Sequence, residues 1–270
     1  MGNTLWTFGC SFTEQDYIGG LSDYHWSTLL SLEYDLTLQN FGLSAASNDN
    51  IIFDFLQNAD KFIGGDYIIV QLSHSSRLGI PNTFGGKTSF INIHPHLASV
   101  IRDAQKDKLN DLNCGPKVGK VLLDDLDQMM AFTVNIWSQR YNMNEKYYRD
   151  RVKYIYELIK YTDIKFFLWD PSIWFDFESI LDWSGYNDGH WSPNGNYSFF
   201  KYLKFIFENE YNELDLWSIA NKRNHFKDWK VRFYEETIKE NYLKTELMPK
   251  INRVKFLESM GNRGLEGDPI

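Results

Sequence analysis

The chain has 270 residues, 43% of them hydrophobic and 17% aromatic, enough for one large buried core or for one domain with appendages. A formal net charge of -8 argues against a nucleic-acid footprint spread over the surface, because phosphate binding relies on clustered Lys and Arg. Two cysteines, Cys10 and Cys114, are too few for a disulfide scaffold, and no apolar run is long enough to cross a bilayer. Met1-Gly2-Asn3-Thr4 leads directly into the first apolar segment, so no signal peptide is expected and the expected compartment is the cytoplasm. Leu5-Trp6-Thr7-Phe8 then reads as a buried strand that runs into Gly9-Cys10-Ser11-Phe12-Thr13. That places a hydroxyl at the carboxyl end of a strand, where open α/β sheets keep their chemistry. Taken alone, the same residues also describe a core strand followed by a Ser/Thr-rich turn or helix cap.

A loop rich in Gly, Asp and Tyr follows through Ser22, then a helix over residues 25–32 and a strand over 36–41. Ser47-Asn48-Asp49-Asn50 opens a helix that carries Ile51, Ile52, Phe55 and Leu56 at helical spacing. Residues 66–72, DYIIVQL, form the clearest buried strand. Short apolar strands alternating with helices predict an α/β fold with a parallel sheet covered on both faces.

Between residues 77 and 117 the pattern breaks up around Gly79, Pro81, Gly85, Gly86, Pro95, Gly115 and Pro116, which reads as an insertion near a pocket. Two helical stripes follow. Leu123, Leu126, Met130, Val134, Trp137 and Tyr141 form one, and Tyr148, Val152, Ile155, Tyr156 and Ile159 the other; such stripes usually mean core packing. Residues 164–170, IKFFLWD, make a further strand, and an aromatic connection leads to Asn187-Asp188-Gly189-His190-Trp191-Ser192-Pro193. Pro193 suits the first position of a helix that runs through Tyr197, Tyr202 and Phe205. From about Leu214 the character changes to a basic cluster, Lys222, Arg223, Lys227, Lys230 and Arg232, on amphipathic helices with Trp229, Tyr234, Ile238, Tyr242 and Leu247. The expected organisation is a domain over residues 1–210 and a C-terminal helical extension over 211–270. That extension either packs on the domain with its charges solvated or serves as a docking arm for a protein partner.

Serine alkoxide chemistry requires a base within hydrogen-bond reach of the hydroxyl, a group that orients the base, and donors aimed at the developing oxyanion. His190 is the candidate base. Asp188, two residues earlier, is the carboxylate that would fix its tautomer and stabilise the imidazolium.

These blocks resemble those of the SGNH (GDSL-type) serine hydrolases, above all divergent phage and bacterial members, whose openings read like TFGCSFT and whose second block reads like SNDNI. Gly9-Cys10-Ser11-Phe12-Thr13 is similar to their Gly-Asp-Ser-x-Ser, with Cys10 replacing Asp and Thr13 the last Ser. Asp188-Gly189-His190 is similar to their final block, although one residue separates Asp from His instead of two and Asn187 stands at the usual Asp position. The resemblance covers roughly residues 4–208. It implies a three-layer α/β/α flavodoxin-like sandwich around a parallel sheet, and ester hydrolysis through an acyl-enzyme without cofactor or metal. Ser11 would be nucleophile, His190 general base and acid, and Asp188 its orienting carboxylate. Ala45 stands where the family usually has its oxyanion glycine, and Ser75 where it has an oxyanion Asn. Asn48 is an alternative side-chain donor, and His74 lines the pocket or packs beneath the insertion. Loss of one oxyanion donor costs about 10² to 10³ in rate.

Other chemistry has bland readings. Cys10 is an alternative nucleophile, but in this motif the side chain beside the serine points the other way. His94-Pro95-His96 has no carboxylate or cysteine set nearby and reads as a loop, so no metal is expected. Trp174, Trp183 and Trp191 suit a sugar platform or simple rim packing. The expected substrate is a small-molecule or carbohydrate ester, with an O-acetyl group on a glycan as the leading example; nucleic acid and membrane are not expected partners. The alternative is a catalytically impaired SGNH-fold binding or structural module associated with a virion.

Overall fold

β1, Thr4–Gly9, buries Leu5, Trp6, Thr7 and Phe8, so neither face of the strand meets water, as in a sheet covered on both sides. The computed structural model describes residues 3–15, 25–84, 87–93, 128, 131–169 and 193–237. Among the described residues the further strands are β2 (Thr37–Gly42), β3 (Tyr67–Gln71), β4 (Leu78–Phe84), β5 (Lys87–Ile93) and β6 (Lys165–Trp169). Four of them form a parallel sheet in the order β2-β1-β3-β6, and β4 pairs with β5 as an antiparallel hairpin. The α/β class expected from alternating strands and helices is therefore present. Each expected sheet strand falls within about one residue of its observed position.

The helices are α1 (Trp26–Glu33), α2 (Asn48–Asn58), α3 (Tyr141–Ile159), α4 (Pro193–Phe205) and α5 (Ile219–Thr237). Each of the first two begins at a side-chain cap. The His25 ring accepts from Ser27 N at the start of α1, and the Ser47 hydroxyl accepts from Asn50 N at the start of α2, where Asp49 also complements the helix dipole.

The chain divides into two compact units, one of Trp6–Glu14 and Phe41–Trp169, the other of Met1–Leu5, Gln15–Asn40 and Asp170–Ile270. In the first, Trp6 and Phe8 project from the same side of β1 into an aromatic cluster. Phe8 lies 5.1 Å from Phe41, 5.4 Å from Phe55 of α2 and 6.2 Å from Phe62, and Phe55 lies 6.0 Å from Phe166 of β6. Tyr148, Val152, Ile155 and Ile159 of α3 are buried, as their spacing predicts. Removing one such ring would cost about 3–5 kcal/mol.

The hairpin lies inside the segment read as an unpatterned insertion. Gly79 and Pro81 obscured its first strand, because neither residue favours a strand interior. It is fixed to the start of α2: Ser47 N donates to Asn92 Oδ1 at 2.9 Å, Gly79 N donates to Asp49 Oδ2 at 3.2 Å, and Phe90 meets Phe53 at 5.3 Å.

In the second unit, Trp26 of α1 meets Phe199 of α4 edge-on at 5.1 Å, and Lys204 pairs with Glu33. Tyr202 of α4 contacts Phe226 and Trp229 of α5, each at 5.3 Å. Lys222, Phe226 and Trp229 are spaced at helical intervals on α5 and are all buried, so the expectation of a fully solvated basic cluster fails at Lys222. The stripe of residues 123–141 is described only in part, and residues 238–270 lie outside the described residues. No helix among the described residues is long and apolar enough to cross a membrane.

Candidate active site

Three loops leave the carboxyl ends of β1, β2 and β3, and each carries a residue singled out in the sequence. The first is the turn after Gly9. Thr13 N and Glu14 N both donate to the Cys10 carbonyl, at 2.8 and 3.1 Å, which folds the chain tightly around buried Ser11. Gln71, at the end of β3, holds this turn from beneath. Its Oε1 accepts from Cys10 N at 3.1 Å and from Thr13 Oγ1 at 2.5 Å, while its Nε2 donates to Cys10 Sγ at 3.2 Å. Cys10 is thus buried and its sulfur engaged.

No side chain fits between these elements. A Cβ on Gly9 would fall 2.2 Å from Thr13 Oγ1 and 2.4 Å from Gln71 Oε1. A Cβ on Gly42, the last residue of β2, would fall 2.2 Å from Glu14 N and 2.3 Å from the Thr13 carbonyl carbon. The β2 loop therefore lies directly against the backbone of the Ser11 turn.

That second loop begins with Leu43 N donating to the Gly9 carbonyl at 3.1 Å and closes with Ala46 N donating to the Leu43 carbonyl at 3.0 Å. Within it Ala45 has φ 59°, the left-handed region that glycine adopts without penalty and alanine adopts at a cost.

The third loop follows β3. Asn48, buried at the start of α2, donates through Nδ2 to the Ser73 carbonyl at 3.0 Å and accepts from Ser73 N at 2.6 Å. The Ser73 hydroxyl is itself buried and has no hydrogen-bond partner among the described residues. Asn144 of α3 donates to the Ser75 carbonyl at 3.3 Å and to the Trp137 carbonyl at 2.9 Å, and Ser75 is buried. Arg77 N donates to the His74 carbonyl at 3.0 Å, and Arg77 Nη1 donates to the Ala46 carbonyl at 3.2 Å, tying the second and third loops together.

Burial holds the His74 imidazole below its usual value, and the Arg77 charge lowers it further, so the ring is neutral at pH 7. Further along α3, burial pushes the Tyr148 phenol well above its ordinary range, aided by the Asp49 carboxylate to which it donates at 2.8 Å.

Neither the family models nor the curated proteins compared with the chain match it. Fold and site therefore rest on the residues themselves.

Of the expected site residues, Ser11, Ala45, Asn48, His74 and Ser75 are described, and all belong to loops at the carboxyl ends of adjacent strands or to the start of α2. Asp188 and His190 lie outside the described residues, as do His94, His96, Trp174, Trp183 and Trp191. Among the described residues no group of three His, Cys, Asp or Glu side chains is placed to hold a metal ion. Gln71, Asn144 and Arg77 were not singled out from the sequence. Gln71 did carry a signal, since a carboxamide closing an otherwise apolar buried strand needs a polar partner.

Proposed function

We propose that the chain is a serine ester hydrolase of SGNH type, acting on a small acyl ester such as an O-acetyl group on a glycan. The observation that carries the proposal is the left-handed backbone at Ala45, in a loop anchored to Gly9 at the foot of the Ser11 turn. The resembling family places glycine at that position, and glycine is the residue such a φ favours. The strand order β2-β1-β3-β6 supports the finer reading of a flavodoxin-like sandwich, being the order 2-1-3-4 once the hairpin is counted as an insertion.

In this mechanism Ser11 Oγ attacks the ester carbonyl while His190 takes its proton, with Asp188 stabilising the imidazolium. Negative charge on the carbonyl oxygen is met by the backbone N–H groups of Ser11 and Ala45 and by the Ser75 hydroxyl. Collapse of the tetrahedral intermediate releases the alcohol, which carries away the proton held by His190. Water then attacks the acyl-Ser11 ester and loses a proton to His190, and collapse of the second tetrahedral intermediate returns that proton to Ser11 Oγ as the free acid leaves.

A fluorophosphonate probe tests the proposal. Labelling that disappears in Ser11→Ala, with turnover of p-nitrophenyl acetate that rises with pH as an imidazole loses its proton and is lost in His190→Ala, supports it. No labelling and no turnover would instead favour a binding or structural module. Two observations favour that second reading: both ends of the Asn48 carboxamide engage the Ser73 backbone, and Ser75 has only a short hydroxyl where the resembling family has Asn.

A further inference from the structure

Arg77 is a charged group held close to the candidate site. It is partly buried, its backbone is fixed at both ends by the His74 carbonyl and by Trp137 Nε1, and the guanidinium donates to the Ala46 carbonyl. Among the described residues no carboxylate lies within ion-pair distance of it. Asp49, which accepts from the amide of Gly79 two residues beyond Arg77, is also taken up by Tyr148 and Arg151. A partly desolvated cation with no counter-charge among the described residues is costly, and here it occurs in a chain whose acidic residues outnumber its basic ones, 36 to 28.

The position of the cation gives it a use. Among the described residues its side chain donates a hydrogen bond to the carbonyl of Ala46, one residue beyond the proposed oxyanion amide of Ala45, and it follows Ser75 by two residues. One N–H of the fork is spent on that carbonyl, and the rest of its five donors have no protein partner among the described residues. A guanidinium presents paired donors that match the two oxygens of a carboxylate.

We propose that Arg77 forms an anion subsite beside the ester-binding loops, so that the preferred substrate is an ester bearing a carboxylate. The proposal rests on the esterase reading for its substrate and on Arg77 alone for its charge selectivity. The neighbouring His74 is neutral at pH 7 and adds no second cation.

Two pairs of esters test it and separate the two sides of the ester bond. Mono-4-nitrophenyl succinate against 4-nitrophenyl pentanoate places the charge on the acyl side; 4-acetoxybenzoate against its methyl ester places it on the alcohol side. We expect kcat/KM for the charged member of one pair to exceed that of its neutral partner at least tenfold. In Arg77→Gln that ratio should fall toward one, and Arg77→Lys should restore part of it as a point charge. The ratio should also shrink as salt rises from 0.05 to 0.5 M, an experimental range chosen to shorten the Debye length. Ratios near one in both pairs, or a ratio unchanged by Arg77→Gln, overturn the subsite.

Failure of the esterase reading is seen separately. Calorimetry with N-phenylsuccinamate and 4-acetamidobenzoate, which carry amides in place of the esters, reads binding to the Ser11→Ala protein without turnover. Binding lost in the Ser11→Ala, Arg77→Gln double variant, together with no hydrolysis of any ester by the natural sequence, would keep the anion subsite and remove the enzyme. No binding of either amide and no charge preference among hydrolysed esters would keep the enzyme and remove the subsite.

Discussion

Asn48 and Ser73 form a closed pair in which one side chain satisfies both backbone groups of the other residue, the N–H at 2.6 Å and the carbonyl at 3.0 Å. The carboxamide mimics the next strand of a sheet at the point where β3 ends, and thereby sets the course of the loop that carries His74, Ser75 and Arg77. Asn48→Ala would leave two buried backbone groups without partners and cost about 2–4 kcal/mol. Asn48→Asp should not rescue it, because a carboxylate oxygen would then face the Ser73 carbonyl. Urea unfolding of the three proteins measures this directly. A loss below about 0.5 kcal/mol in Asn48→Ala would mean that the pair does not form in solution.

Gly42 presses its Cα side against the backbone of the Ser11 turn, and the atoms a methyl would meet are Glu14 N and the Thr13 carbonyl carbon. Backbone cannot rotate away as a flexible side chain can. Gly42→Ala should therefore destabilise by about 1–3 kcal/mol and displace the Ser11 turn. The paired measurement is a thermal melt with the rate of fluorophosphonate labelling. An unchanged melting temperature and labelling rate would contradict the close approach.

Much of the scaffold was legible because its elements obey simple local rules. β1, β3 and β6 are apolar runs, and α2 announces itself through the Ser47 cap and the spacing of Ile51, Ile52 and Phe55. The hairpin β4–β5 was hidden because its stability comes from docking on Ser47, Asp49 and Phe53, none of which is encoded in the strands themselves. Ser11 and Ala45 were visible as motif positions. The groups that hold the Ser11 turn and the Ser75 loop, Gln71 and Asn144, act across gaps of 61 and 69 residues, to Cys10 and Ser75, and no periodicity reports such pairings. Lys222 illustrates the converse: its charge suggested solvent, while its register with Phe226 and Trp229 placed it inside.

Ala45 pays a backbone cost that glycine would not. A left-handed alanine is less favourable than its right-handed form by roughly 1–2 kcal/mol, whereas glycine loses more freedom on folding, by about 0.4–1 kcal/mol. Ala45→Gly should thus stabilise the protein by about 0.5–1 kcal/mol. If the Ala45 N–H serves the oxyanion, the variant should keep its labelling rate, since the donor is backbone. A destabilised variant would show that the methyl group makes contacts worth more than the strain it carries.

Asp54 gives the stability of the fold a pH dependence of unusual sign for a carboxylate. Burial raises its pKa from 3.8 to about 6, partly opposed by the hydrogen bond that Asn50 donates to it at 2.7 Å. The folded state therefore binds a proton that the unfolded chain has already released, and linkage makes stability fall as pH rises from about 4 to about 6, then level off. In a dry site the displacement would carry about 3 kcal/mol; solvent at this partly exposed carboxyl reduces that to about 1 kcal/mol. Asp54→Asn keeps an acceptor for Asn50 and removes the titration. The two proteins should unfold at similar urea concentrations near pH 4, and the variant should become the more stable of the two as pH passes 6. A difference that is constant across this range, or that favours the natural sequence as pH rises, would show that the carboxyl remains ionised in the folded chain.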